Sequence, residues 1–155
     1  MLENREVTWF PSYGGEMRGG TANCTVIISN ELIASPIVKN PDILIVMNNQ
    51  SLRKFQPQLR QTGILLFDSS LIKNPELRSD IEVTGVPATE ISNTIGNTKS
   101  ANMVLLGALI AKTKLLKEQS TFEALEDSMD QKKEVIAMNK RAIMEGVRFF
   151  EDKKG

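Results

Sequence analysis

The sequence predicts an α/β domain built in three layers, with a mostly parallel β-sheet between helices on both faces. Short β-rich runs fill the first half of the chain, and helical patterns fill the second half. The runs at residues 43–47 and 64–67 are continuously apolar, which is typical of strands covered on both faces. A segment with helical spacing separates them, so together they indicate one βαβ unit. A chain of 155 residues has the size of one ordinary domain, so we assign residues 1–155 to a single unit.

Five strands are expected, and each is bounded by Gly, Pro, Asn, Asp or Ser. They span residues 7–10, 24–28, 43–47, 64–67 and 81–86. In a βαβ unit the turn after the first strand lies at the carboxyl edge of the sheet, where open α/β folds bind ligands. Asn48, Asn49 and Gln50 occupy that turn. They are interpreted either as a helix-capping turn or as ligand-binding residues, and both interpretations stay open.

Four helices are expected in the second half, the first two at residues 88–95 and 101–116. Residues 101–116 are apolar on nearly every side, which predicts a buried helix packed closely on the sheet. Ser120 and Glu123 fit a capping box, so a further helix is expected to begin there. The last helix carries an apolar stripe opposite its basic residues, which is typical of a surface helix. The stripe consists of Val135, Met138, Ala142, Val147 and Phe150.

The chain has no histidine and one cysteine, which excludes several kinds of catalytic and metal site. Without histidine there is no Ser-His-Asp or Cys-His pair and no imidazole ligand. Cys24 alone cannot form an internal disulfide, a cysteine zinc site or a four-thiolate iron–sulfur cluster. Because it lies in an apolar strand, we interpret Cys24 as a small buried hydrophobic residue. A single cysteine also indicates a reducing cytoplasm.

The charges balance, with 19 basic and 19 acidic residues. No excess of positive charge favours nucleic acid or an anionic membrane, so neither is expected as a partner. The longest apolar stretch, residues 103–111, is far shorter than the roughly 20 residues that span a bilayer. These observations predict a soluble cytoplasmic protein.

A glycine-rich loop directly after the first strand is the most constrained segment of the sequence. Its candidate contact residues are Tyr13, Gly14, Gly15, Glu16, Arg18, Gly19 and Gly20. Glycine lets another backbone or a ligand approach closely, and the Arg18 guanidinium suits a carboxylate or a phosphate. The loop is interpreted either as a tight turn in which Glu16 and Arg18 pair locally, or as a contact with a ligand or a partner subunit.

Two further turns have structural interpretations beside the functional ones. Asp68, Ser69 and Ser70 follow the strand at residues 64–67 and are ordinary turn formers, which is the favoured interpretation. Gly96 suits a left-handed helix end, and Asn97 or Thr98 suits the cap of the next helix. Because a helix start nearby can bind an anion, Asn97 also remains a candidate site residue.

Three blocks of sequence resemble a known family. They are TWFPSYGGEMRGGTANC at residues 8–24, NPDILIVMNNQS at residues 40–51 and GNTKSANMVLLGAL at residues 96–109. Read together, they resemble the gamma subunit of the 2-oxoacid:ferredoxin oxidoreductases, with the closest similarity to the 2-oxoglutarate type. The resemblance implies a Rossmann-like three-layer fold of the pyruvate-ferredoxin oxidoreductase domain III type.

The resemblance also implies a role in an assembly that oxidatively decarboxylates a 2-oxoacid and passes electrons to ferredoxin. Coenzyme A is the co-substrate that receives the acyl group. Thiamine diphosphate, magnesium and iron–sulfur clusters would be held by partner subunits, namely the alpha, beta and ferredoxin-like delta subunits. This chain would bind no cofactor by itself, contribute no catalytic residue, and line the cavity through the residue 13–20 loop together with Asn48, Gln50 and Asn97.

The chain departs from the family in one respect, because a further strand, glycine-rich loop and helix usually precede the equivalent of Val7. We therefore expect the sequence to be incomplete at its N-terminus or its start to be assigned too late. An alternative function is an independent Rossmann-like protein that binds a small anionic ligand through the residue 13–20 loop. A self-sufficient enzyme is the least favoured interpretation, because Asp, Glu, Lys or Tyr would have to perform all proton transfer.

Overall fold

A computed structural model describes residues 3–13, 21–128 and 133–153. The five strands and the helices appear in the predicted order. The strands are β1 (Glu6–Tyr13), β2 (Ala22–Ser29), β3 (Ile43–Val46), β4 (Ile64–Asp68) and β5 (Glu82–Val86). The helices are α1 (Asn49–Phe55), α2 (Ala88–Thr94), α3 (Ala101–Thr113), α4 (Glu118–Ser128) and α5 (Lys133–Asp152), and a short 3₁₀ turn, Gln56–Gln58, follows α1.

The central sheet confirms the predicted α/β class. Within the described residues it has three parallel strands in the order β3-β4-β5. Leu65 of β4 packs in one core cluster with Leu52 of α1. Leu66 points to the opposite face and is also fully buried, and β4 contacts α3 on that side. Helices therefore cover both faces of the central strand, as its continuously apolar sequence predicted.

The first two strands stand apart from this sheet. β1 and β2 pair with each other in antiparallel register, and Trp9 lies directly opposite Val26. The sequence pattern predicted both strands, but it assigned them no partners. We refer to this two-stranded unit as the hairpin. Cys24 on β2 is exposed, so the prediction of a buried cysteine was wrong, because within residues 3–13, 21–128 and 133–153 no second layer covers this side of the hairpin.

α3 is buried as expected, but its most extensive contact among the described residues is with α5 rather than with the sheet. α3 ends at Thr113, before the predicted Leu116, and Lys114 takes a left-handed conformation with φ of 53°. On α5 the buried residues are Asn139, Ala142, Ile143, Gly146, Val147 and Phe150. Val135, which the predicted stripe included, is exposed because α5 meets α3 further along its length.

The predicted capping box at Ser120 was wrong. α4 begins at Glu118, so Ser120 lies inside the first turn of the helix. The Thr121 hydroxyl donates a hydrogen bond of 3.0 Å to the Lys117 carbonyl oxygen, one turn back. This is a bond that helical Ser and Thr side chains commonly make with their own helix. In the part of the chain that the structure describes, no helix is long and apolar enough to cross a membrane.

Candidate functional site

Asn48 acts as the N-cap of α1 at the carboxyl edge of the sheet. Its backbone is extended, and its side-chain oxygen accepts a hydrogen bond of 2.8 Å from the Ser51 backbone N–H. The capping interpretation is therefore confirmed. Asn49 and Gln50 form the exposed first turn of the same helix, at the end of β3 where the βαβ pattern placed them.

Asp68 ends the neighbouring strand, β4, and is fully buried. Its carboxylate accepts hydrogen bonds from the Ser70 backbone N–H at 2.9 Å and from the Thr89 backbone N–H at 3.2 Å. The Thr89 hydroxyl donates a further bond of 2.5 Å. Asp68 thus fastens the end of β4 to the first turn of α2, which agrees with the structural interpretation of this turn.

Asn97 belongs to a polar network beneath the turn between α2 and α3. Its side-chain amide donates to the Ser100 hydroxyl, which donates in turn to the Asn139 side-chain oxygen of α5 at 2.8 Å. The buried Ser92 hydroxyl donates to the Asn97 carbonyl oxygen. Gly96 has a φ of 81°, which fits the predicted left-handed end of α2. The predicted cap was wrong, because the N-cap position of α3 is Ser100 and its side chain makes no capping bond.

Most of the glycine-rich loop, residues 14–20, lies outside the described residues. The predicted contact residues in this range are Gly14, Gly15, Glu16, Arg18, Gly19 and Gly20. Tyr13 is described as the last residue of β1 and pairs with Ala22. Thr21, the first described residue after the loop, is buried, and its hydroxyl accepts a hydrogen bond of 2.8 Å from the Lys54 ammonium group. Lys54 lies on α1, so this end of the hairpin is anchored to the helix that Asn48 caps.

The opposite end of the hairpin is fastened to the connection between α3 and α4. The Arg5 guanidinium donates to the Leu115 carbonyl oxygen at 2.9 Å. The Glu3 carboxylate accepts a bond of 2.8 Å from the Lys117 backbone N–H, and this bond lowers the pKa of Glu3 below its usual value. Together with the bond between Lys54 and Thr21, these contacts hold both ends of the hairpin against the rest of the chain.

Between these anchors the hairpin exposes apolar side chains. Trp9 is 61% exposed and Val26, its cross-strand partner, is 53% exposed. None of the predictions from the sequence included this surface. A signal was present, since every second residue from Val7 to Pro11 and from Ala22 to Ile28 is apolar, which places one apolar row on one face of each strand.

A polar cavity of about 370 Å³ lies between α1 and the loop that follows β4. Arg53 and Lys73 contribute positive charge to it, and Glu76 contributes negative charge. The Lys73 ammonium group also donates a hydrogen bond of 2.7 Å to the Ser69 carbonyl oxygen. Across the described ranges, no three His, Cys, Asp or Glu side chains cluster in a way that could hold a metal ion.

Comparison with known proteins gives a family match over nearly the whole chain. The family model described as pyruvate ferredoxin/flavodoxin oxidoreductase matches residues 1–149. Ketoisovalerate oxidoreductase subunit VorA of Methanothermobacter thermautotrophicus is 37% identical over 148 residues, which are 95% of this chain and 31% of that protein. The chain therefore spans about a third of the length of this relative. The 2-oxoglutarate synthase subunit KorC of Methanocaldococcus jannaschii is 34% identical over 147 residues, which are 90% of this chain and 78% of that protein.

Solved structures agree with this match. The gamma subunit of a keto/oxoacid ferredoxin oxidoreductase from Geobacter sulfurreducens PCA superposes with a TM-score of 0.80 at 25% identity, covering 97% of this chain and 83% of that one. The 2-oxoglutarate:ferredoxin oxidoreductase from Magnetococcus marinus superposes with a TM-score of 0.86 over 97% of this chain and 27% of that one. At 21% identity the second likeness shows the fold alone. The match of residues 1–149 and the KorC identity confirm the family that the three sequence blocks indicated: this chain belongs to the pyruvate ferredoxin/flavodoxin oxidoreductase family.

Proposed function

We propose that this chain is a gamma-type subunit of a 2-oxoacid:ferredoxin oxidoreductase complex, with a structural and cavity-lining role. The observation that carries the proposal is the family match over residues 1–149. The similarity to KorC, which is covered over 78% of its own length, supports it. The complex would convert a 2-oxoacid and coenzyme A to an acyl-CoA and carbon dioxide, with two electrons passed to ferredoxin. Its alpha, beta and ferredoxin-like delta subunits would be the partners, and the cytoplasm its compartment.

The residue inventory of this chain supports such a division of labour. One cysteine cannot provide the four thiolates of an iron–sulfur cluster, so the clusters would be held outside these 155 residues. Thiamine diphosphate and magnesium are likewise assigned to partners, because the sequence contains no Gly-Asp-Gly start of the motif that binds them. Within the complex this chain would position neighbouring subunits and exclude water from their cavity.

Two groups of residues are proposed to border that cavity. Arg18 and Glu16, in the sequence segment between β1 and β2, would meet an anionic group or a charged side chain of a partner. Asn48, Gln50 and Asn97 would contribute from the main body of the domain. For Asn48 and Asn97 this role would come in addition to the capping bond and the polar network that the structure shows.

The 2-oxoacid itself is proposed from the relatives. KorC, named as a 2-oxoglutarate synthase subunit, is matched over 78% of its length, whereas VorA, named as a ketoisovalerate oxidoreductase subunit, is matched over 31%. We therefore propose 2-oxoglutarate as the substrate. The slightly higher identity to VorA, 37% against 34%, makes ketoisovalerate the alternative.

Co-expression with the other predicted subunits tests the proposal. An affinity-tagged copy of this chain should retain them through size-exclusion chromatography. The purified complex should then reduce ferredoxin in the presence of coenzyme A with 2-oxoglutarate, and less efficiently with ketoisovalerate. The reverse preference would change the substrate assignment, and failure of the subunits to co-purify would overturn the proposal.

A second candidate function rests on the cavity beside α1, where Arg53 and Lys73 could hold an anion. In that case the chain alone would bind a small anionic ligand. Calorimetry of the isolated chain with coenzyme A and with nucleotides separates the two candidates. The subunit proposal predicts weak or no binding by the chain alone. Micromolar binding that Arg53→Ala abolishes would favour the independent binding protein.

A further inference from the structure

We propose that this domain docks onto a partner polypeptide through one face of the hairpin. The partner corresponds to the part of VorA that lies beyond the 31% matched by this chain. The inference rests on the proposed function and names the partner that this surface contacts. The face, called here the hairpin face, is formed by alternate residues of both strands. Its described members are Val7, Trp9, Pro11, Ala22, Cys24, Val26 and Ile28.

The hairpin face is apolar throughout and largely open to solvent. None of its seven described residues carries a charge. Trp9 and Val26 are more than half exposed at its centre, and Ala22 and Cys24 are exposed beside them. An isolated two-stranded hairpin is marginally stable in water, and a contiguous exposed apolar patch marks an interaction site in most soluble proteins. We therefore expect another protein surface to cover the hairpin face in the assembled complex.

The described contacts of the hairpin explain how the face stays open within the part of the chain that the structure describes. Arg5 and Glu3 fasten one end to the connection between α3 and α4, and Thr21 fastens the other end to α1. These hydrogen bonds fix the position of the hairpin through its ends and leave the middle of the face available. The apolar exposure continues in the segment after β2, where Leu32 is 88% exposed and Ile37 is 72% exposed.

The comparisons indicate what covers the face. The same domain forms 31% of the longer VorA chain and 27% of the Magnetococcus marinus chain, whereas it makes up most of KorC, which is matched over 78% of its length. In VorA the domain is covalently joined to the rest of a longer chain, whereas in KorC it makes up most of a separate subunit. A separate subunit needs a surface that binds the corresponding partner without a covalent link. Permanent interfaces are more apolar than transient ones, and the hairpin face has this composition.

Within the face, Trp9 is the expected centre of the binding energy. Tryptophan is enriched among the few interface residues that dominate affinity, because it buries a large apolar area with few rotatable bonds. Its position opposite Val26 makes the pair the middle of the patch. The partner surface should accordingly present an apolar pocket to the indole ring of Trp9.

The test measures binding between this chain and the homologue of the unmatched part of VorA, using two variants of the face and one control. Trp9→Ser and Val26→Lys alter the hairpin face. Met144→Lys introduces the same charge on α5, at a methionine that is 41% exposed. The dissociation constant is measured for each, with circular dichroism to check folding and light scattering to measure the mass of the chain alone.

We expect the wild type and Met144→Lys to bind equally, and both face variants to bind at least about tenfold more weakly while their melting temperatures stay unchanged. Equal binding by all four proteins would overturn the hairpin face as the docking surface and leave the proposed function intact. Absence of binding by the wild type would overturn the proposed function and the partner together. A wild-type dimer that Val26→Lys dissociates would show that a second copy covers the face, and would overturn the assignment of the partner.

Discussion

Gly107 of α3 and Gly146 of α5 face each other's helices in a reciprocal contact. A Cβ atom on Gly107 would lie 2.0 Å from the Ile143 carbonyl oxygen, and a Cβ atom on Gly146 would lie 2.0 Å from the Val104 carbonyl oxygen. Val104 lies three residues before Gly107 on α3, and Ile143 lies three residues before Gly146 on α5. Each glycine therefore sits next to the carbonyl group that the other glycine approaches. The two backbones come this close only because neither position carries a side chain. This crossing joins the two longest helices of the described structure and fixes α5 against the domain.

Gly107→Ala and Gly146→Ala should each destabilise the fold. The added methyl group would collide with backbone atoms, so the helices would have to separate, at a cost of at least about 2 kcal/mol in the free energy of unfolding. Urea unfolding measures the loss. Asn102→Ala, at an exposed position on α3, is the control and should stay within about 0.5 kcal/mol of the wild type. Wild-type stability in either glycine variant would contradict this packing of α3 on α5.

Asp68→Ala should also destabilise the fold, through lost hydrogen bonds rather than through a clash. It would leave the partly buried backbone N–H groups of Ser70 and Thr89 without their carboxylate acceptor, at a cost of about 1–3 kcal/mol. Thermal unfolding followed by circular dichroism measures the effect. Ser70→Ala removes only an exposed bond to the Glu90 backbone N–H and should cost far less. Equal losses in the two variants would show that Asp68 does not fasten β4 to α2.

Asn97→Ala tests whether this residue serves the fold or a binding site. Loss of the amide would remove a donor to the Ser100 hydroxyl and weaken the link to Asn139, so we expect a loss of about 1–2 kcal/mol of stability. Lys99→Ala, at an exposed position two residues away, should be neutral. Unchanged stability combined with weaker subunit binding would assign Asn97 to the interface instead.

The pair of Arg78 and Asp80 should make stability dependent on acid. The Arg78 guanidinium forms two hydrogen bonds to the Asp80 carboxylate, of 2.9 and 2.6 Å, and these bonds lower the pKa of Asp80. Because the folded pKa lies below the unfolded one, the stabilising contribution is complete above about pH 4 and is lost as the pH falls through the lowered pKa. The melting temperatures of the wild type and Asp80→Asn should therefore differ at pH 7 and converge toward pH 3.

Glu151→Gln is the control for that titration, because it removes one exposed carboxylate without altering the Arg78 contact. Its difference from the wild type should be smaller at pH 7 than that of Asp80→Asn. Arg78 also donates to the carbonyl oxygens of Gln56 and Leu59, so Arg78→Ala should lower the melting temperature at every pH. A constant difference between the wild type and Asp80→Asn from pH 7 to pH 3 would contradict the shifted pKa.

Trp9 offers a direct readout of docking, because it is the single tryptophan of the sequence. With 5-fluorotryptophan incorporated in this chain alone, the fluorine resonance should show a solvent isotope shift in H₂O and D₂O, since Trp9 is exposed. On binding the partner polypeptide the shift should largely disappear, because the ring would leave the solvent. An unchanged isotope shift in the purified complex would place Trp9 outside the interface.

Local sequence patterns predicted the elements of the main sheet well. The continuous apolar runs of β3 and β4 identified parallel strands covered on both faces, and Asn48 identified the start of α1. These predictions succeeded because side-chain periodicity and helix capping depend on residues close together in the chain. Ser120 shows the limit of the same approach, since a capping pattern also fits residues inside the first turn of a helix.

The candidate site was predicted only in part. The turn after β3 was located correctly, because parallel strands all end at the carboxyl edge of their sheet and the turn that follows a strand must therefore lie there. The exposed face of Trp9 and Val26 was missed, because alternation of apolar residues indicates a buried face of a strand and cannot reveal whether distant parts of the chain cover that face.

The sequence by itself determined the α/β class, the order of strands and helices, the family, and the absence of histidine and of a cysteine cluster. The tertiary structure decided that β1 and β2 pair apart from the main sheet, that Cys24 is exposed, and that Gly107 and Gly146 bring α3 and α5 together. The physical reason is the range of the interactions. Periodicity and composition are properties of neighbouring residues, whereas strand pairing, burial and close helix crossings depend on residues that lie far apart in the chain and meet only in the folded state.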